Sequence, residues 1–166
     1  MTSAPRVDGT ARAPDRSRLF TLGDGPGVVG ECRDLTRRAL QDWFGTRALV
    51  GNVAVDDILL LVSEVVANAY EHGGAPYELR LDRTGGRLWV QVSDTSPVRP
   101  RPHGPHRASR TSGHGLYLLE RLSVGWGSVP RGQGKAVWFE AAVTDAADPA
   151  GPAWSDAADP RGRCLE

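Results

Sequence analysis

The run Asp56-Asp57-Ile58-Leu59-Leu60-Leu61-Val62-Ser63-Glu64-Val65-Val66-Ala67-Asn68-Ala69-Tyr70-Glu71-His72-Gly73 carries the strongest periodic signal in the chain. Ile58, Leu61, Val62, Val65 and Ala69 recur at three- and four-residue steps, which puts them on one stripe of a helix. Asp56 or Asp57 can cap its start, and Gly73-Gly74 ends it. The spacing predicts a helix over Asp56–His72. Glu64, Asn68 and His72 follow one another at four-residue steps, so all three lie near one face, beside the apolar stripe.

Upstream, Leu19-Phe20-Thr21-Leu22 reads as a short strand, and Gly23 to Gly27 breaks the chain. Val29, Cys32, Leu35, Thr36, Ala39, Leu40 and Trp43 then recur at helical spacing, with Gly45 as the stop. Downstream, Tyr77–Arg83 and Arg87–Asp94 alternate as strands joined by the hairpin turn Thr84-Gly85-Gly86. Thr95–Ser112 holds four prolines and two histidines with almost no apolar residues, the composition of a functional loop or lid. Leu116, Leu118, Leu119 and Leu122 mark a short helix. Trp126–Val129 and Ala136–Val143 read as two more strands, joined by the turn Arg131-Gly132-Gln133-Gly134. Hairpins on both sides of the loop predict an α+β two-layer sandwich: a mixed, mostly antiparallel sheet with helices on one face.

The chain has 166 residues, a length that suits one domain. Residues 1–17 and 144–166 lack periodicity and are expected to be disordered tails around a working domain at 18–143. Lys and Arg number 20, as do Asp and Glu, so no global charge draws the chain to nucleic acid or an anionic membrane. No apolar run reaches the length of about 20 residues that a membrane span needs, and the first 18 residues do not resemble a secretory signal. Two distant cysteines, Cys32 and Cys164, argue against a disulfide framework or zinc cluster, so the default location is a reducing cytoplasm.

Three clusters can carry chemistry. In the first, the amide oxygen of Asn68 can ligate Mg²⁺, and Glu64 can take a proton from a hydroxyl or water. Taken alone, the same residues also read as a solvated helix flank, with His72 complementing the helix dipole. In the second, Asp94 closes an apolar strand in Val92-Ser93-Asp94-Thr95-Ser96-Pro97. A carboxylate there can accept from the exocyclic amine of adenine, or simply start a turn. In the third, Ser112-Gly113-His114-Gly115-Leu116 enters a helix, where close backbone approach and free N–H groups favour phosphate; a plain hinge is the alternative. The only lysine, Lys135, follows a different glycine and makes no phosphate loop with these residues.

In this order the clusters resemble the GHKL (histidine kinase-like) ATPase superfamily, the group of gyrase and histidine-kinase ATP-binding domains. More narrowly, the chain resembles the stand-alone anti-sigma factor serine/threonine-protein kinases of bacteria. Leu60–Gly73 is similar to their N box, Val92-Ser93-Asp94 to the first glycine box, and Ser112–Leu116 to the second. Gly134-Lys135-Ala136-Val137-Trp138 sits where that family has its final strand, and the likeness spans roughly Leu19 to Val143. The resemblance implies a Bergerat-type fold that binds ATP and Mg²⁺. Asn68 would be the metal ligand, Glu64 the general base and Asp94 the adenine contact. His72 would also line the nucleotide, and the backbone of Ser112, Gly113, His114, Gly115 and Leu116 would cradle phosphates. It further implies transfer to a serine of an anti-anti-sigma antagonist protein, binding of a sigma factor and pairing into a homodimer. Direct contact with nucleic acid or a membrane is not implied.

One departure stands out. The superfamily's first glycine box has Asp-x-Gly, whereas this chain has Asp94-Thr95-Ser96-Pro97. A catalytically weak, nucleotide-gated binding module of the same fold is therefore the alternative expectation. Arg99, Arg101, Arg107 and Arg110 with His103 and His106 fill the loop, and can either neutralise phosphate charge or form a solvated basic run. Nothing in the chain resembles a dimerisation helix, receiver or membrane sensor of a sensor histidine kinase.

Overall fold

The helix expected from the periodic run is the central element of the computed structural model, which describes residues 13–72, 74–100 and 114–143. In chain order the elements are β1 (Arg16–Thr21), α1 (Val28–Phe44), α2 (Thr46–Leu49), α3 (Val53–Glu71), β2 (Pro76–Thr84), β3 (Arg87–Asp94), α4 (His114–Leu122), β4 (Gly125–Arg131) and β5 (Gly134–Ala142). The five strands form one sheet in the order β1-β2-β3-β5-β4. Every pairing among the described residues is antiparallel.

α3 starts three residues before the expected position. Its cap is Asn52, not Asp56 or Asp57: the Asn52 side chain accepts the Ala54 N–H at 3.0 Å and donates to the Ala48 carbonyl at 3.1 Å. Asp56 falls inside the first turn, where its charge complements the helix dipole. At the other end the His72 N–H closes on the Asn68 carbonyl at 3.1 Å. α1 stops at Gly45 as expected, with φ +86° at that glycine. The four-residue α2 between Gly45 and Gly51 is too short to leave a periodic trace in the sequence.

α1, α3 and α4 cover one face of the sheet, so the expected two-layer α+β architecture is the one observed. Leu40 of α1, Ile58, Leu61, Val62 and Val66 of α3, Leu81 and Val90 of the sheet, and Phe139 of β5 are all fully buried. Each such side chain contributes on the order of 1.5–3 kcal/mol over its exposed state. On the opposite face Trp89 and Trp138 stack with ring centroids 4.2 Å apart. Gly127 lies under the Trp138 ring, where a Cβ would come within 2.9 Å of it.

The sheet extends slightly beyond the expected limit at residue 18. β1 begins at Arg16, the Asp15 N–H donates to the Arg83 carbonyl at 2.8 Å, and the Asp15 carboxylate accepts from Gly85 N–H at 2.7 Å. Residues 1–12 and 144–166 of the expected tails lie outside the described residues. Among the described residues no helix is long and apolar enough to cross a membrane.

Candidate functional site

The apolar stripe of α3 fixes which side of the helix meets the sheet, and thereby sets Glu64 and Asn68 on the flank that meets α4. Both are half-buried. Gly115, in the first turn of α4, sits directly on them: a Cβ at that position would lie 2.7 Å from Asn68 Nδ2 and 3.2 Å from Glu64 Oε2. The first and third sequence clusters therefore meet at one point, and only glycine leaves both polar side chains in place. Leu116 and Leu119 anchor α4 in the core. With the Leu116 side chain turned inward, backbone N–H groups are what the start of α4 can present to an anion. Neither Glu64 nor Asn68 has a side-chain hydrogen bond or ion pair among the described residues.

Asp94 is the last residue of β3 and is buried. It stands opposite Lys135, the second residue of β5. The Lys135 ammonium lies 2.9 Å from each carboxylate oxygen, with the two side chains 8% and 1% exposed. Its hydrogen bond goes to Oδ1, which also accepts the Ser96 N–H at 2.8 Å. Lys135 donates as well to the Ser96 carbonyl at 3.3 Å. Two glycines close round this pair. A Cβ on Gly74 would come within 2.9 Å of Asp94 Oδ1, and one on Gly134 would come within 1.9 Å of the Asp94 carbonyl oxygen.

The segment Thr95-Ser96-Pro97 is held by side-chain hydrogen bonds. Ser96 is buried and its hydroxyl accepts the Val98 N–H at 3.3 Å, while Thr95 Oγ1 accepts the Ala75 N–H at 3.0 Å. The local turns at Asp94–Ser96 and Ser96–Val98, with the long-range bond from Ala75 to Thr95, hold the backbone after Asp94 without a glycine.

Of the other expected site residues, His72 caps the C-terminus of α3 with an exposed side chain, and His114 is the first residue of α4. Ser112, Gly113, Arg101, His103, His106, Arg107 and Arg110 lie outside the described residues. Lys135, Gly74 and Gly134 were not expected at the site. The signal for Lys135 was its being the only lysine among 20 basic residues, set at the start of an apolar strand. Among the described residues no group of three or more His, Cys, Asp or Glu is placed to hold a metal ion. A cavity of about 300 Å³ lies elsewhere, lined by Asp24, Val28, Tyr70 and Pro76 among others, and includes none of the expected site residues.

No curated protein matches the chain. The RsbU and RsbW domains of Rv1364c from Mycobacterium tuberculosis share 20% identity, with a TM-score of 0.56 over 80% of this chain and 33% of that one. That likeness is one of fold, and this chain spans a third of the length of its mycobacterial counterpart. The blue-light activated histidine kinase EL346 of Erythrobacter litoralis matches at 26% identity and TM-score 0.41, over 54% of this chain and 30% of that one. Its histidine kinase domain matches at 20% identity and TM-score 0.43, over 81% of this chain and 66% of that one. The family model described as histidine kinase-like ATPase domain matches residues 31–141. That match covers more than half of the sequence, from α1 to β5, so the chain belongs to the histidine kinase-like ATPase domain family.

Proposed function

We propose that this chain binds Mg-ATP and acts as an anti-sigma factor regulator, phosphorylating a serine on an anti-anti-sigma antagonist protein and binding a sigma factor. The observation that carries the reading is the seating of Gly115 on Glu64 and Asn68, which brings a carboxylate, a carboxamide and a helix N-terminus to one place. Those are the groups that phosphoryl transfer requires, since its catalysis is mainly positioning and charge stabilisation.

The residues suit a nucleotide and a metal. The amide oxygen of Asn68 is a hard ligand with no hydrogen-bond partner among the described residues, and Mg²⁺ is commonly held by one or two protein oxygens plus phosphates and water. Bound Mg-ATP would supply the transferable γ-phosphoryl group and the cation that neutralises its charge. Asn68 would hold the metal, and the backbone N–H groups at Gly115 and Leu116 would bind the phosphates. Glu64 accepts the proton of the attacking seryl hydroxyl. The seryl oxygen–phosphorus bond forms as the bond to the ADP oxygen breaks, and the proton ends on Glu64. The added phosphate, at about −1.5 to −2 charge, would weaken rebinding of the antagonist.

A second reading, a nucleotide-gated binding module with little turnover, is favoured by Ser96-Pro97 in place of glycine and by the Lys135 partner of Asp94. Transfer of labelled phosphate from ATP to candidate antagonist proteins separates the two. Kinase activity predicts transfer by the wild type that falls by at least about 100-fold in Glu64→Gln, in the range of a lost general base, with nucleotide affinity retained. Tight ATP binding with no transfer to any candidate would leave the binding module.

A further inference from the structure

Among the described residues, the buried pair Asp94–Lys135 holds an unfilled donor and an unfilled acceptor side by side. An ammonium has three N–H donors. Lys135 directs one to Asp94 Oδ1 and one to the Ser96 carbonyl, which leaves the third without a hydrogen bond among the described residues. Asp94 Oδ2, although 2.9 Å from the same nitrogen, has no hydrogen-bond partner among the described residues. Unsatisfied buried polar atoms are few in folded proteins, and each calls for a water, an ion or a ligand. The carboxylate sits where β3 ends, with Gly74 close against Oδ1 and Gly134 close against the Asp94 backbone carbonyl.

We propose that Lys135 is a specificity-determining residue that donates to N1 of the adenine ring while Asp94 Oδ2 accepts from the exocyclic amine. This inference rests on the nucleotide-binding reading above and assigns half of the base contact to a residue that reading did not use. The chemistry is directional. Adenine presents an acceptor at N1 beside a donor at its exocyclic amine, which complements an ammonium beside a carboxylate. Guanine and hypoxanthine in the same pose present a donor at N1 and an acceptor at O6, facing a cation and an anion of the wrong sign. A carboxylate alone offers one point of discrimination, and the ion pair offers two. Sites that hydrogen-bond a polar group reject analogues lacking it, because their own buried groups are left unpaired.

The test needs no substitution in its first arm. Calorimetry on the full chain compares Mg-ATP with Mg-1-deaza-ATP, in which a C–H replaces N1 and the amine is kept. Loss of a hydrogen bond from a charged donor weakens binding by about 10- to 100-fold, and that is the expected result. In the second arm Lys135→Met binds both nucleotides equally, with the ATP-to-ITP preference of the wild type reduced by about 10-fold or more. Equal binding of ATP and 1-deaza-ATP by the wild type overturns the inference while leaving the ATP site intact. So does tighter ATP binding by Lys135→Met, which would mean that the ammonium occupies the amine's seat. Binding of neither nucleotide by the wild type overturns the nucleotide reading, and the inference with it.

Discussion

Gly115 and Asn68 approach so closely that a single methyl group cannot stand between them: a Cβ on Gly115 would lie 2.7 Å from Asn68 Nδ2. The atoms it would strike are the ends of flexible side chains, the Asn68 amide and the Glu64 carboxylate. Gly115→Ala therefore relieves the overlap by rotating Asn68 away rather than by breaking the fold. Alanine also favours a helix interior over glycine by about 0.8–1 kcal/mol, although the gain is smaller in a first turn. The expected outcome is a melting temperature unchanged or slightly raised, together with Mg-ATP affinity lowered by about 10-fold or more. Thermal unfolding and calorimetry on the same preparation check both halves. Loss of stability with affinity retained would place the glycine in packing alone.

Gly134 shows the opposite case. A Cβ there would meet the Asp94 carbonyl oxygen at 1.9 Å and the carbonyl carbons of Asp94 and Thr95 at 2.9 Å. These are backbone atoms, held by the β3–β5 ladder, and they cannot rotate away. Gly134→Ala must separate the end of β3 from the start of β5, and is expected to cost about 1–3 kcal/mol or more, the range of overpacking. Denaturant unfolding measures it, and a midpoint equal to the wild type would show that the strand ends give way freely.

These two glycines also mark what the sequence could disclose. The periodicity of α3 exposed the helix and the shared face of Glu64 and Asn68, because a 3.6-residue repeat is local. The order Glu-x-x-x-Asn, strand-ending Asp and Gly-x-Gly exposed the family. The start of α3 was hidden because Val53, Ala54 and Val55 add no polar signal, while Asn52 caps the helix through a single side-chain bond. The Asp94–Lys135 pair was hidden for a different reason. The two residues are 41 positions apart and meet only through the register of β3 on β5, which no local pattern specifies.

That pair makes its own prediction. Removing one partner strands a charge in a site where both side chains are nearly inaccessible. Breaking a buried ion pair costs about 3–5 kcal/mol, whereas replacing both charges can be close to neutral. Lys135→Met and Asp94→Asn should each lower the unfolding free energy by amounts in that range. The double variant should be more stable than the sum of the two singles implies, with a coupling of about 0.5–3 kcal/mol. Additive losses in a double-mutant cycle would show that the two charges do not interact in the folded protein.

Cys32 supplies a pH prediction. It is fully buried in α1, and burial pushes its thiol from 9.0 up to about 12, with the neighbouring Glu31 charge adding to the shift. The folded state therefore favours the neutral thiol. Its contribution is fully present below the unfolded pKa near 9 and is lost as pH rises towards 12, where the unfolded thiol ionises and the folded one does not. Across that window this group lowers stability by up to about 1.4 kcal/mol per pH unit. The same burial protects the thiol from reagents, since the thiolate is the nucleophile. In a Cys164→Ser background, which leaves Cys32 as the single cysteine, a disulfide reagent at pH 8 should react at the rate of global unfolding. Added urea should accelerate the reaction in step with loss of structure. Fast, urea-independent labelling would mean that α1 opens locally and exposes Cys32 without unfolding of the sheet.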